Sequence, residues 1–184
     1  KEMLQKTSYA ASSDEMRIVL NGTFLSFRDE KLLMVATDGR RLALAEQELE
    51  FPKETEGELI VPTRSVGEVV RCLQGEGPMK VHVVQNQVAF EFGDVLMLSK
   101  LIEGQFPNFR QVIPSQSEHR ITIEREIFLN AVRRMSVLTT DKSSAVKLTF
   151  GKNKLTISVS AQDVGEAHED LPIKYTAKEM SIAF

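Results

Sequence analysis

Within the run Lys31–Glu46, the six residues Thr37-Asp38-Gly39-Arg40-Arg41-Leu42 bring together a hydroxyl, a carboxylate, a glycine backbone and two guanidinium groups. The run reads as two β-strands joined by an Asp-Gly turn, where Gly supplies positive φ without steric cost and Asp tolerates it. Set at the mouth of an otherwise apolar sheet, Thr37, Gly39, Arg40, Arg41 and Leu42 suit the holding of a short peptide. Apolar area would receive its hydrophobic side chains and the polar donors its carbonyls.

Catalytic and metal chemistry find no comparable cluster. His82, His119 and His168 are far apart and lack metal-ligand spacing. Gly75-x-Gly77 runs into Pro78, and Gly151-Lys152 lacks the preceding Gly of a phosphate loop. Asp14, Glu15, Asp163, Glu166, Glu169 and Asp170 read as solvated turns. No catalytic residue, metal or cofactor is therefore expected, and the chain is not read as an enzyme. The single cysteine, Cys72, excludes an internal disulfide and suits a reducing cytoplasm. It lies in an apolar helical pattern and is expected to be buried as a small hydrophobe.

The basic residues are more informative than their sum. A net charge of −3 argues against wholesale phosphate neutralisation. Arg64 and Arg71, seven residues apart, share the helix face opposite Val66, Val69, Val70 and Leu73. Arg125, Arg133 and Arg134 avoid the stripe Phe128, Ala131, Val132 and Met135, and Lys1 and Lys6 decorate the first helix. Gathered on one surface, these cations would carry a phosphate backbone loosely, with no base-reading geometry.

The elements that must position these groups alternate between helices and antiparallel strands. The pattern predicts a helix over 1–12, with Leu4, Thr7 and Ala11 on one face, then strands near 18–27, 32–37 and 41–46. An acidic loop, a strand at 59–61, a helix opened by an N-cap at Thr63 and three short strands at 79–84, 87–92 and 95–101 follow. A bend over 103–114 is pinned by Phe106, Phe109, Val112 and Ile113. The polar run Ser115–Glu118 marks a boundary between domains 1–114 and 115–184. The second domain opens with a strand at 120–123 and a helix at 124–136. No apolar run approaches the ~20 residues of a membrane span, and no signal peptide precedes the first helix, so a soluble protein is expected.

An internal repeat ties the two halves together. Leu25, Phe27, Leu32, Met34 and Ala36 fall on Leu148, Phe150, Leu155, Ile157 and Val159 at a constant offset of 123 residues, without a gap. The same offset carries 180–183 to 57–60, so that it corresponds to the strand at 58–61. A unit of this size is a duplicated domain, not a solenoid repeat. The first copy lacks the strand that 121–123 provides to the second, and the second stops where its next helix should begin. The expectation is a piece of a longer protein.

The assembled residues resemble the bacterial sliding clamp family, the beta subunit of DNA polymerase III. The resemblance rests on Val35-Ala36-Thr37-Asp38-Gly39-Arg40-Arg41-Leu42-Ala43, on Leu59-Ile60-Val61-Pro62, and on Lys100-Leu101-Ile102-Glu103-Gly104-Gln105-Phe106-Pro107-Asn108-Phe109-Arg110. It spans essentially the whole chain and implies the middle domain followed by the first part of the third. The implied fold is α+β, a duplicated DNA-clamp domain with antiparallel sheets outside and helices lining the inner, DNA-facing side. The implied function is a cytoplasmic processivity factor, a head-to-tail homodimeric ring around duplex DNA with no membrane association. Lys1, Lys6, Arg64, Arg71, Arg125 and Arg133 would face DNA. Leu20, Thr37, Gly39, Arg40, Arg41, Leu42, Pro107, Gln111 and Val112 would line a groove for peptides of the polymerase III alpha subunit, the clamp loader and other clamp-binding proteins. Val137, Leu138, Asp163 and Glu166 would meet the neighbouring protomer. Arg40 stands where a His is more usual and Gln111 where a second Arg is common. An alternative is a peptide-binding adapter that never encloses DNA.

Overall fold

The computed structural model describes residues 1–74, 77–139, 145–161 and 165–184. The chain divides into two compact units, Lys1–Val112 and Ile113–Phe184.

The first unit is built on strands β1 (Gly22–Arg28), β2 (Lys31–Thr37), β3 (Leu42–Glu48) and β4 (Gly57–Pro62), which form one sheet in the order β3-β2-β1-β4. Alternation divides β1 between two cores. Leu25 joins Met34, Leu59 and Val61 on one face, where Leu4 of helix α1 (Glu2–Thr7) and Val66 and Val69 of helix α2 (Thr63–Cys72) cover them. Phe24 joins Leu33, Val35 and Ile60 on the other, under Phe106 with Val19, Leu20, Leu42, Ile102 and Phe109 partly buried around it. Phe24 and Phe106 stack with centroids 5.0 Å apart. Burial on both faces explains why β2 reads as the unbroken apolar run Leu32–Ala36. Strands β5 (Lys80–Val84), β6 (Gln87–Phe92) and β7 (Val95–Lys100) form a second sheet in sequence order. Val88, Phe90 and Phe92 of β6 complete the core on the helix side.

The second unit carries helix α3 (Arg125–Ser136) and strands β8 (Lys147–Gly151), β9 (Lys154–Ala161), β10 (Gly165–Pro172) and β11 (Met180–Ala183), in the order β10-β9-β8-β11. Ala131 and Met135 of α3 pack on Leu155, Ile157, Val159 and Leu171, with Ile173 and Tyr175 closing the core. The repeat is repeated here pair for pair. Leu25 faces Met34 and Leu59, and Leu148 faces Ile157 and Ile182, every position displaced by the same 123 residues. The correspondence slips by one residue at the third strand, where Thr37 faces Leu42 but Ser160 faces Glu166.

Several local expectations are corrected. The first helix ends at Thr7 and continues as a 3₁₀ turn over Ser8–Ala10. Ile18–Leu20 form a second 3₁₀ turn instead of a strand, because the Leu20 amide bonds back to the Arg17 carbonyl at 2.8 Å. Thr63 is the first helical residue of α2, not its cap, and its hydroxyl donates instead to the Asn21 carbonyl at 2.8 Å. Cys72 is exposed, since the stripe of α2 runs through Val69, Val70 and Leu73 and leaves its last helical residue outside. Residues 120–123 join no sheet ladder among the described residues, although Ile121 and Ile123 pack on the second core. Of the four residues expected to pin the bend, Phe106 and Phe109 do so, whereas Val112 and Ile113 are exposed. Gly75 and Glu76, expected to stop α2, lie outside the described residues.

Candidate peptide site and basic helix faces

The loop between β2 and β3 holds four residues, Asp38 to Arg41, and only Gly39 within it has positive φ (86°). The Asp-Gly turn is therefore looser than a two-residue hairpin. Its shape comes from side chains bonding its own backbone. The Thr37 hydroxyl donates to the Arg41 carbonyl (2.6 Å) and accepts from the Gly39 amide (3.0 Å). Asp38 Oδ1 accepts from the amides of Arg40 and Arg41, both at 2.9 Å, and Oδ2 from Arg41 Nε at 3.1 Å. The Arg41 and Arg40 amides, assisted by the Arg41 guanidinium, hold the Asp38 carboxyl below the ordinary carboxylate range against the opposing pull of burial. With its one proton committed, Thr37 organises the turn and has none to donate to a peptide carbonyl.

Arg41 is likewise anchored. Besides Asp38, it donates to the Tyr9 carbonyl (2.9 Å) and lies over the Tyr9 ring, 5.7 Å from its centroid. Arg17, which sequence reasoning passed over, reaches the same place from the segment before β1. Its Nη1 donates to the Asp38 carbonyl at 3.1 Å and its Nε faces Asp14 Oδ2 at 3.5 Å. The sequence signal for it was only its position three residues before Leu20. Arg40 is exposed and its guanidinium has no hydrogen bond or ion pair among the described residues.

These groups border a polar cleft of about 230 Å³ lined by Ala11, Ser12, Ser13, Asp14, Arg17, Asp38, Arg40 and Arg41. Leu42 follows the lining residue Arg41 and Leu20 comes three residues after Arg17, and both pack, half-buried, on the Phe24 core. The turn thus places an apolar shelf next to a cationic cleft. Pro107, Gln111 and Val112 are exposed, Val112 at 69%. A larger cleft of about 890 Å³ lies between Glu58–Ile60, the Gln85-Asn86 turn and the strap Leu101–Arg110, and of the expected groove residues it contains Pro107.

The helices expose their cations unequally. Lys1 Nζ donates to the Leu73 carbonyl at 2.9 Å, capping the end of α2 where the helix dipole is negative. Lys6 pairs with Glu2, Arg71 with Glu68 and Arg125 with Glu126, each on its own helix. Arg64 and Arg133 are exposed and unpaired among the described residues. Arg134 bonds Glu169 through both Nε (2.9 Å) and Nη2. That contact raises the Arg134 pKa and holds the Glu169 carboxyl below its usual range.

Of the residues expected at a protomer interface, Val137 is 81% exposed and Leu138 packs partly against the second core. Glu166 accepts from the Ser160 hydroxyl at 3.0 Å. Asp163 lies outside the described residues. Among those residues no His, Cys, Asp and Glu side chains gather as metal ligands, and no helix is long and apolar enough to cross a membrane.

Duplicated antiparallel sheets, each packed against helices with polar outer faces, define a class of proteins built from repeated α+β domains. Residues 1–108 match the model of the DNA polymerase III beta subunit central domain, and residues 110–184 that of its C-terminal domain. The chain is 32% identical over 184 residues to the beta sliding clamp of Chlamydia muridarum and 30% identical over 187 residues to that of Escherichia coli K12, in each case covering 100% of this chain and 50% of the relative. A crystal structure of the sliding clamp from Bartonella birtlesii bound to griselimycin superposes with a TM-score of 0.92 at 33% identity, over 99% of this chain and 50% of that one. The Bacillus subtilis sliding clamp gives 0.91 at 28% identity over 98% and 49%. The chain belongs to the DNA polymerase III beta subunit family, the beta sliding clamps, and spans about half the length of these relatives.

Proposed function

We propose that this chain forms the middle domain and the first part of the third domain of a processivity clamp, a head-to-tail dimeric ring that encircles duplex DNA. The observation that carries the reading is the duplicated sheet, identical in register through its first two strands and followed through both family models. The ring would be lined by helices, with Arg64 and Arg133 as its free cations and Lys1, Lys6, Arg71 and Arg125 loosely held in local pairs. Retention on DNA is then topological and needs only weak, sequence-independent phosphate contacts, which reconciles the negative net charge with a DNA partner. The protein acts without catalysis, as an accessory subunit of the polymerase.

The groove reading follows from the turn. Leu20 and Leu42 would seat the apolar anchors of a partner peptide from the polymerase alpha subunit, the clamp loader or another clamp-binding protein, with Gly39, Arg40 and Arg41 on one side and Pro107, Gln111 and Val112 on the other. Thr37 would serve by fixing the turn. Val137, Leu138, Asp163 and Glu166 would meet the neighbouring protomer.

Loading of the full-length protein onto a nicked circular DNA tests encirclement: the bound protein should be released when the circle is linearised. Equal retention on circle and line would exclude a ring and favour an adapter that binds partners without enclosing DNA. For the groove, Leu42→Ala should weaken binding of a peptide carrying a Gln and apolar anchors about tenfold, as expected for loss of one buried apolar contact. Unchanged affinity by calorimetry would remove Leu42 from the site.

A further inference from the structure

We infer that the cleft between β4 and the strap Leu101–Arg110 is a strand-addition site, in which an extended peptide carrying a basic side chain pairs with the free edge of β4. β4 stands last in its sheet, so its far edge has no ladder partner among the described residues. One backbone bond reaches that edge, from the Ile102 amide to the Ile60 carbonyl at 2.9 Å. In an antiparallel ladder a residue that turns its carbonyl outward turns its amide outward too, and such residues alternate along the strand. Pro62, which has no amide hydrogen, falls in the same alternating set as Ile60. The Ile60 amide and both backbone groups of Glu58 therefore face away from β1, towards a cleft of about 890 Å³.

The opposite wall is equally open. After Ile102, no backbone amide of the strap makes a hydrogen bond among the described residues until Phe109. The strap does not fill the edge itself, since Phe106 is drawn onto Phe24 and carries the chain over the sheet face. Gln85, Asn86, Gln105 and Asn108 also line the cleft, and their carboxamides make no hydrogen bond among the described residues. Unpaired backbone groups on a sheet edge are a template for another strand, and these carboxamides supply donors and acceptors for its far side. Charge selects the side chains. The cleft is lined by the carboxylates Glu58 and Glu103 and by the guanidinium of Arg110, which lies over the Phe109 ring. Glu58 faces the half-exposed Arg28 at 3.4 Å, and Glu103 has no ion pair among the described residues. A Lys or Arg on the peptide meets an uncompensated carboxylate there, whereas an acidic residue is repelled. The cleft shares no lining residue with the one beside the β2–β3 turn, and of the proposed groove residues it touches Pro107 alone.

The experiment uses the full-length protein and the synthetic peptide Thr-Val-Lys-Val-Lys-Thr, acetylated and amidated at its ends, with calorimetry and hydrogen exchange as readouts. Binding should slow exchange at the amides of Glu58 and Ile60. Methylating the peptide nitrogens along one edge of its strand should weaken binding about tenfold, and methylating those along the other edge far less. Glu58→Pro removes an outward amide that an edge strand can lose, and should also weaken the peptide about tenfold. Glu58→Ala keeps that amide and should weaken it only about twofold. Replacing both lysines of the peptide by Glu should weaken it about fivefold at low salt. Should Glu58→Pro lower the Tm, the contrast between the two methylated edges on the wild-type protein decides. Equal effects of methylation on both edges would overturn strand addition, and equal affinity of the Lys and Glu peptides would overturn the basic preference. Binding lost in Leu42→Ala but kept in Glu58→Pro would place the peptide in the groove and overturn this site. No binding up to about 1 mM peptide would overturn it as well, leaving the groove reading untouched.

Discussion

The sheets of the two units share strand order and, outside the third strand, register, yet the positions that correspond between them do not share an environment. Gly22 opens β1, and a Cβ built there would lie 2.6 Å from the Val61 carbonyl oxygen, 2.8 Å from Ile60 Cγ2 and 2.9 Å from Ile102 Cδ1. The corresponding residue in the second unit is Ala145, which is exposed. The strap that crosses the first sheet, from Ile102 through Phe109, accounts for the contrast. The repeated pattern of apolar residues sets which strands pair and where. What lies over the sheet sets which side chains each position tolerates.

Four experiments sharpen this contrast or break it. The largest effect is expected at Leu155, fully buried in the second core, whose counterpart Leu32 is only half-buried. Leu155→Ala should cost about 3 kcal/mol and Leu32→Ala markedly less. Hydrogen exchange should show lost protection confined to β8–β11 in the first case. Equal losses would mean that the two hairpins are energetically interchangeable. Next, Gly22→Ala should destabilise by about 1–3 kcal/mol in urea denaturation, because the added methyl meets backbone and two isoleucines. Ala145→Gly should change stability by less than ~1 kcal/mol.

At the turn, Thr37→Val should cost about 1–2 kcal/mol by stranding the Arg41 carbonyl and Gly39 amide, while Thr37→Ser keeps both bonds and most of the stability. Peptide affinity should follow the same order, and a Val variant that binds normally would separate the hydroxyl from the groove. The smallest effect is a titration. The Asp38 carboxyl has a lowered pKa in the folded protein, so its stabilising contribution is complete above the unfolded value and fades as pH falls through the folded one. The amide resonances of Arg40 and Arg41 should therefore titrate with a midpoint below 3.8, the ordinary value for Asp, and Asp38→Asn should abolish the step. A midpoint at or above that value would mean that the amide bonds do not hold in solution.

Much of this was legible because period-2 alternation is local. Leu25, Phe27, Leu32 and Met34 announce their strands, and the matching run 123 residues later announces the duplication, before any contact is known. The helix stripes of Val66 and Val69 and of Ala131 and Met135 were legible for the same reason. The misses cluster where a specific hydrogen bond, local or distant, overrides the pattern. Ile18–Leu20 is rich in β-formers but turns because Arg17 and Leu20 bond each other. Thr63 has the chemistry of a cap but finds the Asn21 carbonyl. Residues 120–123 alternate like a strand and pack like a core segment, yet find no ladder partner among the described residues.

The candidate site divides in the same way. Sequence alone determined the residue types at the turn, the positive-φ glycine between Asp38 and Arg40, and the apolar Leu42 that follows it, since these depend on composition and short-range sterics, whereas Leu20 joins Leu42 only through the Phe24 core. Only the tertiary structure decided which cations remain available. Arg41 closes onto Tyr9 and Asp38, and Arg134 onto Glu169, while Arg40, Arg64 and Arg133 stay unpaired among the described residues. Charge pairing depends on distances between segments that the fold alone brings together, and interactions between exposed charges are screened beyond about 10 Å at ordinary ionic strength.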